Sequence, residues 1–142
     1  MRNLKEIIIH CTATYGKNEE ITVADIDRWH RQRGFSCIGY HFVIHQDGLV
    51  YAGRNINMIG AHCKGHNANS IGIAYIGGCN GYGIPEDTRT WDQKQAMQDL
   101  IIGLIWEHGH LEVHGHHFYN PSKACPCFDV EKEFAFINNH EY

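Results

Sequence analysis

Residues 71–76 (IGIAYI) are apolar at every position, and a strand with no polar side has to be covered on both faces. Such a strand belongs in the middle of a sheet, with helices or loops packed above and below it. Glu6–Cys11 (EIIIHC) is a second segment of this kind, short, apolar and β-branched. Residues 40–45 and 49–52 read as a hairpin turned at Asp47-Gly48, and residues 111–115 as a further short strand. Between them lie helices with legible ends. Thr22 is a good N-cap, with Asp25 at the third helical position, Ile21 and Ile26 as a hydrophobic staple, and Gly34 to close the helix. Thr90 and Gln93 form a capping box for the clearest helix, which carries Met97, Leu100, Ile101, Leu104 and Ile105 on one face and ends at Gly109. Asp129 caps a last helix running to about Ile137. The stretch from Tyr15 to Asn18 reads as a polar loop, and residues 77–87 as Gly-rich and irregular. Strands and helices intermix without repeats or a linker. The expected fold is therefore α/β, a single domain over residues 1–142 with a central mixed β-sheet flanked by helices.

Charge narrows the range of partners. The formal net charge is -4 with no run of Lys or Arg, which argues against nucleic acid. The chain carries 12 His, as many as Lys and Arg together, a composition that hints at metal or acid–base chemistry. No window approaches the ~20 apolar residues of a membrane span, and residues 1–9 lack the pattern of a secretory signal. The expectation is a cytoplasmic protein as synthesised, a monomer, with Cys11, Cys37, Cys63, Cys79, Cys125 and Cys127 as free thiols or metal ligands.

Two histidines sit where strands run out: His10 after the isoleucine run, and His116 just past residues 111–115. Cys125 follows in a loop held by Pro121 and Pro126. Two imidazoles and a thiolate suit Zn²⁺, and three protein ligands with an open fourth position describe a catalytic site. Spacing alone does not select this set. Cys127 is a rival thiolate, and His114, which alternates with His116 along the strand, is a rival imidazole.

Several short stretches occur in order along the chain. They are Ile8-Ile9-His10-Cys11-Thr12-Ala13-Thr14, Gly39-Tyr40-His41-Phe42-Val43-Ile44, Asp47-Gly48, Gly60-Ala61-His62 and Asn69-Ser70-Ile71-Gly72-Ile73. Gly115-His116-His117 then leads to Lys123-Ala124-Cys125-Pro126. In these the chain resembles the type 2 N-acetylmuramoyl-L-alanine amidases, the superfamily that includes phage lysozymes and peptidoglycan-recognition proteins, and most of all its small phage endolysins. The resemblance implies an amidase/PGRP-like fold and zinc-dependent hydrolysis of the amide between N-acetylmuramic acid and L-alanine in peptidoglycan. It implies His10, His116 and Cys125 as zinc ligands and Tyr40 and Lys123 as catalytic groups. It also places His62 and Asn69 in segments that line the substrate groove, with peptidoglycan or muramyl peptides as partners. Two positions depart from the pattern. Ala74 stands where some branches carry a general-base Glu, which favours the branch that uses a tyrosine, and Phe118 stands where an acidic residue is common.

Without the resemblance, plainer readings hold. Tyr40 is a strand aromatic and Lys123 an exposed loop lysine. Cys11, Cys37, Cys63 and Cys79 are small buried hydrophobes. Trp29 and Trp91 pack in the core, His30, His41 and His45 are partly buried and hydrogen-bonded, His117 is structural, and His66, His108, His110 and His140 are surface residues. Two other functions compete with the amidase: a peptidoglycan-binding module without activity, and a structural zinc domain. The three intact ligand positions argue against the first, and their dispersal along the chain against the second.

Overall fold

A computed structural model describes residues 2–141, so the domain read as 1–142 runs one residue past them at each end. Among the described residues, seven strands and five helices follow one another, beginning with β1 (Glu6–Cys11), β2 (Thr14–Tyr15), α1 (Val23–Gln32), β3 (Phe42–Ile44), β4 (Val50–Ala52), β5 (Ser70–Tyr75) and β6 (Gly78–Cys79). The chain continues through α2 (Trp91–His108), β7 (Glu112–Gly115), α3 (His116–Tyr119), α4 (Val130–Glu133) and α5 (Ala135–Asn138). The main sheet has the order β4-β3-β5-β1-β7. Only β3 and β4 pair antiparallel, across the hairpin at Gly48, whose φ of +86° suits a residue without a Cβ. The sheet is therefore mixed, as the sequence predicts, and β5 lies at its centre with all six residues buried.

Alternation along the two central strands divides the molecule. Ile7, Ile9 and Cys11 of β1 and Ile71, Ile73 and Tyr75 of β5 share one core with Met97, Ile101, Leu104 and Ile105 of α2 and with Val130, Phe134 and Ile137 near the C-terminus. The opposite face of β5 carries only Ser70, Gly72 and Ala74, small residues that leave room above the sheet. A second, smaller cluster gathers Ile21, Ile26, Ile38, Val43 and Ile76, with Trp29 and Tyr40 packed against it.

Both predicted capping boxes are present. In α1, Asp25 N donates to Thr22 Oγ1 and Thr22 N to Asp25 Oδ2. In α2, Gln93 accepts from Thr90 N through Oε1 and donates through Nε2 to the carbonyls of Ile44 and Ile76. One buried amide thus starts the helix and ties the ends of β3 and β5 to it. At the outer edge of the sheet, the Asn138 side chain accepts from Val113 N at 2.7 Å and donates to Val113 O at 2.9 Å, in the manner of a neighbouring strand.

Several expectations are corrected. Tyr15 and residues 78–79, read as loop, belong to a two-stranded parallel ribbon that pairs Thr14 with Gly78 and Tyr15 with Cys79. The last helix is two single turns broken at Phe134, whose φ of −110° leaves the helical region while its ring fills the core. Trp91 is 73% exposed because the first residue of α2 falls outside the buried stripe. Cys37 and Cys79 are half-buried, while Cys11 and Cys63 are buried, and all six cysteines are unbridged. His66, His108 and His110 are half-buried, and only His140 of that group is exposed. His66 stacks on Tyr119 and His110 on His140, each with ring centroids 3.6 Å apart. No helix among the described residues is long and apolar enough to cross a membrane.

Arg89 joins the irregular segment after β6 to the C-terminal turns. Its guanidinium, 2% exposed, makes two hydrogen bonds to Glu133 and two to Asp87, and lies 3.3 Å from the Phe128 ring centroid. Arg89→Ala should lower the unfolding free energy by about 3 kcal/mol, the low end for breaking a buried ion pair, because the two orphaned carboxylates are partly open to water. Urea denaturation checks this, and a loss below about 1 kcal/mol would mean that the carboxylates regain solvent at no cost.

A candidate metal centre in a cation-rimmed cleft

Strand register brings the first two site residues together. β1 pairs with β7 so that Ile9 faces Gly115, which sets His10 level with His116, the first residue beyond the strand. On its other side His10 faces Ala74, and the methyl group there leaves space for the imidazole. His10 is 1% exposed, and its ring centroid lies 4.7 Å from that of His116. Cys125 arrives on a loop held by several bonds. His117 N donates to Cys125 O, Cys127 N to Ala124 O, and the buried Tyr75 hydroxyl to Pro126 O at 2.6 Å. Cys11 N points at Cys125 Sγ from 3.2 Å, the kind of donor a thiolate accepts. As a result one donor atom each from His10, His116 and Cys125 falls within 4.8 Å of the others.

The two rival ligands stand elsewhere. Cys127 Sγ is 4.0 Å from Cys11 Sγ and 3.4 Å from Gly78 O, on the core side of the sheet. His114 stacks on Phe118 and directs Nδ1 to Glu131, which His117 also approaches. The strand ends at Gly115 and His116 opens a helical turn, so the alternation that would have put His114 and His116 on one face is broken.

Burial sets the protonation states. Desolvation holds His10 well below the usual imidazole range, and the neighbouring His62 and His116 add to this. His116 is lowered by burial and by the charge of Lys123. Both rings are therefore neutral near pH 7, the form that coordinates a metal. Two neutral imidazoles and a thiol at this spacing fit Zn²⁺ by donor chemistry and number. The Tyr40 ring lies 5.2 Å from that of His10, and burial, with Cys125 and Cys11 nearby, pushes its hydroxyl above its ordinary value. Tyr40 is thus a neutral phenol that can donate a hydrogen bond.

His10, Tyr40, His62, His116, Lys123 and Cys125 all line one cleft of about 630 Å³. Arg33 and Lys64 also line it, and no Asp or Glu does, although the chain has 16 acidic residues. A cleft whose charged side chains are all cationic favours an anionic substrate. Asn69 is not part of it. Its amide is turned to the Asn3 carbonyl at 2.7 Å, whereas Asn67, two residues earlier, lines the cleft and accepts from His62 N and Cys63 N. His62 sits deeper than a groove residue needs to, with burial pushing it down to about 3 and each ring nitrogen directed at a protein partner.

The chain is similar to known proteins over most of its length. The family model described as N-acetylmuramoyl-L-alanine amidase matches residues 1–128. The endolysin of Klebsiella phage KP32 is 38% identical over 127 residues, covering 89% of this chain and 83% of its own. Among solved structures, the N-acetylmuramoyl-L-alanine amidase LysC from Clostridium intestinale superposes with a TM-score of 0.81 at 29% identity, covering 98% of this chain and 87% of its own. Drosophila PGRP-LB superposes with a TM-score of 0.79 at 25% identity, covering 95% and 82%.

The donor set is expected to bind one zinc ion per chain. Elemental analysis should find zinc retained in Cys127→Ser and lost in Cys125→Ser. The reverse pattern would move the thiolate ligand to Cys127.

Proposed function

Because the chain belongs to the N-acetylmuramoyl-L-alanine amidase family, we propose that it hydrolyses the amide between the lactyl group of N-acetylmuramic acid and the L-alanine of peptidoglycan, with zinc as its cofactor. The observation that carries this reading is the convergence of His10, His116 and Cys125 on the floor of a cleft that also holds Tyr40 and Lys123. A zinc ion held there would supply Lewis-acid activation of the attacking water and the scissile carbonyl. The residues of the chain do the rest. The Tyr40 hydroxyl orients the water through a hydrogen bond and passes its proton on toward the departing amine. The Lys123 ammonium faces the negative charge that develops on the carbonyl oxygen in the tetrahedral transition state. Arg33 and Lys64 draw the carboxylates of the stem peptide into the cleft. A neutral phenol suits this relay, since its oxygen can accept from the water while its own proton goes to the amine, and a phenolate has no proton to give.

Digestion of purified peptidoglycan tests the reaction class. New L-alanine amino termini should appear while the glycan strands stay intact, and a chelator should abolish the release. New reducing ends without amino termini would replace the amidase by a glycosidase. Tight binding of muramyl peptides with no turnover would instead favour a binding module.

The two proposed catalytic groups are separable from the metal. Lys123→Ala should lower kcat by roughly 10²–10³-fold, by analogy with the loss of an oxyanion donor, and Tyr40→Phe by about 10²-fold. Both variants should keep the fold and full zinc content, with KM little changed, because each group meets charge that appears only in the transition state. Wild-type kcat in zinc-loaded Lys123→Ala would remove its electrostatic role.

A further inference from the structure

The residue behind His10 has a built environment that the reaction itself does not explain. His62 Nδ1 lies 2.8 Å from His10 Nε2, and His62 Nε2 lies 3.2 Å from the hydroxyl of Ser70, which is fully buried. The two imidazoles meet edge to face, with ring centroids 4.9 Å apart at 90°. The slot for the His62 ring is cut by two glycines. A Cβ on Gly72 would come within 2.6 Å of the ring, and one on Gly60 within 2.7 Å. The backbone on either side is pinned, since His62 N and Cys63 N both donate to Asn67 Oδ1 at 2.9 Å.

We propose that His62 is a positioning residue for the metal centre: it accepts the Nε2 proton of His10 and so holds the tautomer and ring angle that leave Nδ1 bare. The inference rests on the reading of His10 as a ligand. His10 Nδ1 is the nitrogen on the side of Cys125, 3.8 Å from its Sγ. For that nitrogen to offer a lone pair, the single proton of the neutral ring has to sit on Nε2. The Nδ1 of His62 then accepts, and the proton of His62 is left on Nε2, where the Ser70 oxygen receives it. The chain of bonds His10–His62–Ser70 therefore has one direction only. A ligand imidazole ordinarily finds a carboxylate or a carbonyl in this place. Here the acceptor is a neutral ring in a cleft that no acidic residue lines. With both nitrogens engaged, His62 has none to offer a substrate, which separates this role from one in groove binding.

The test reads metal affinity and not turnover. Metal-free protein is titrated with zinc against a chromophoric chelator, and folding is checked by circular dichroism. His62→Phe fills the slot without an acceptor and should bind zinc roughly 10–100-fold more weakly than wild type. His62→Asn presents an amide oxygen near the position of Nδ1 and should stay within about threefold of wild type. If the Phe variant does not fold, His62→Leu serves in the same comparison. Unchanged affinity in a folded His62→Phe or His62→Leu would overturn the proposal. So would an equal loss in His62→Asn, which would mean that only the shape of the ring matters. A wild type that binds zinc but hydrolyses nothing would defeat the amidase reading, and the same comparison would still decide the role of His62.

Discussion

The parallel register between β1 and its two neighbours decides where His10 stands, and the cleft floor is built on that position. With Ile9 facing Gly115 and His10 facing Ala74, the imidazole comes level with His116 and above a residue too small to obstruct it. A slip of one residue would turn His10 into the core and Ile9 out of it. The isoleucines that alternate with His10 oppose that slip, because Ile7 and Ile9 are buried beneath α2. A buried imidazole is costly unless its nitrogens are used. Here Nε2 meets His62 and Nδ1 faces Cys125, so the same residue satisfies the fold and supplies the site.

The loop that brings Cys125 depends on the other side of the sheet. Tyr75, in the central strand and fully buried, sends its hydroxyl to the Pro126 carbonyl. Gln93 holds the end of that strand to α2. Arg89 then links this region to the C-terminal turns through Glu133. A thiol carried on a loop thus rests on rigid elements, which is what keeping three donor atoms within a few ångströms of one another requires.

What could be read beforehand was what neighbouring residues encode. Thr22 with Asp25 and Thr90 with Gln93 declare helix starts within four residues, and the isoleucine runs declare buried strands. Motif order gave the ligand candidates, since His10, His116 and Cys125 are too dispersed for spacing to connect them. What escaped depends on distant partners. The ribbon of β2 and β6 joins residues 64 positions apart, Thr14 and Gly78, with two residues on each side. The break at Phe134 follows from a ring that the core claims. Asn69 and Asn67 differ only in which way the chain turns between them. The role of His62 left a trace in the small residues Ser70, Gly72 and Ala74, which look like a weak strand face until the rings above them are placed.

Asn138 carries a consequence for how the molecule behaves among its own copies. β7 is the outermost strand on its side of the sheet, and an outermost strand offers bare N–H and C=O groups to any extended chain that approaches. The Asn138 amide occupies both groups of Val113, and α4 and α5 pack against the same strand. The last turns of the chain therefore act as a stopper on that edge. At high concentration, the sheet is protected there from growing by strand addition into a second molecule.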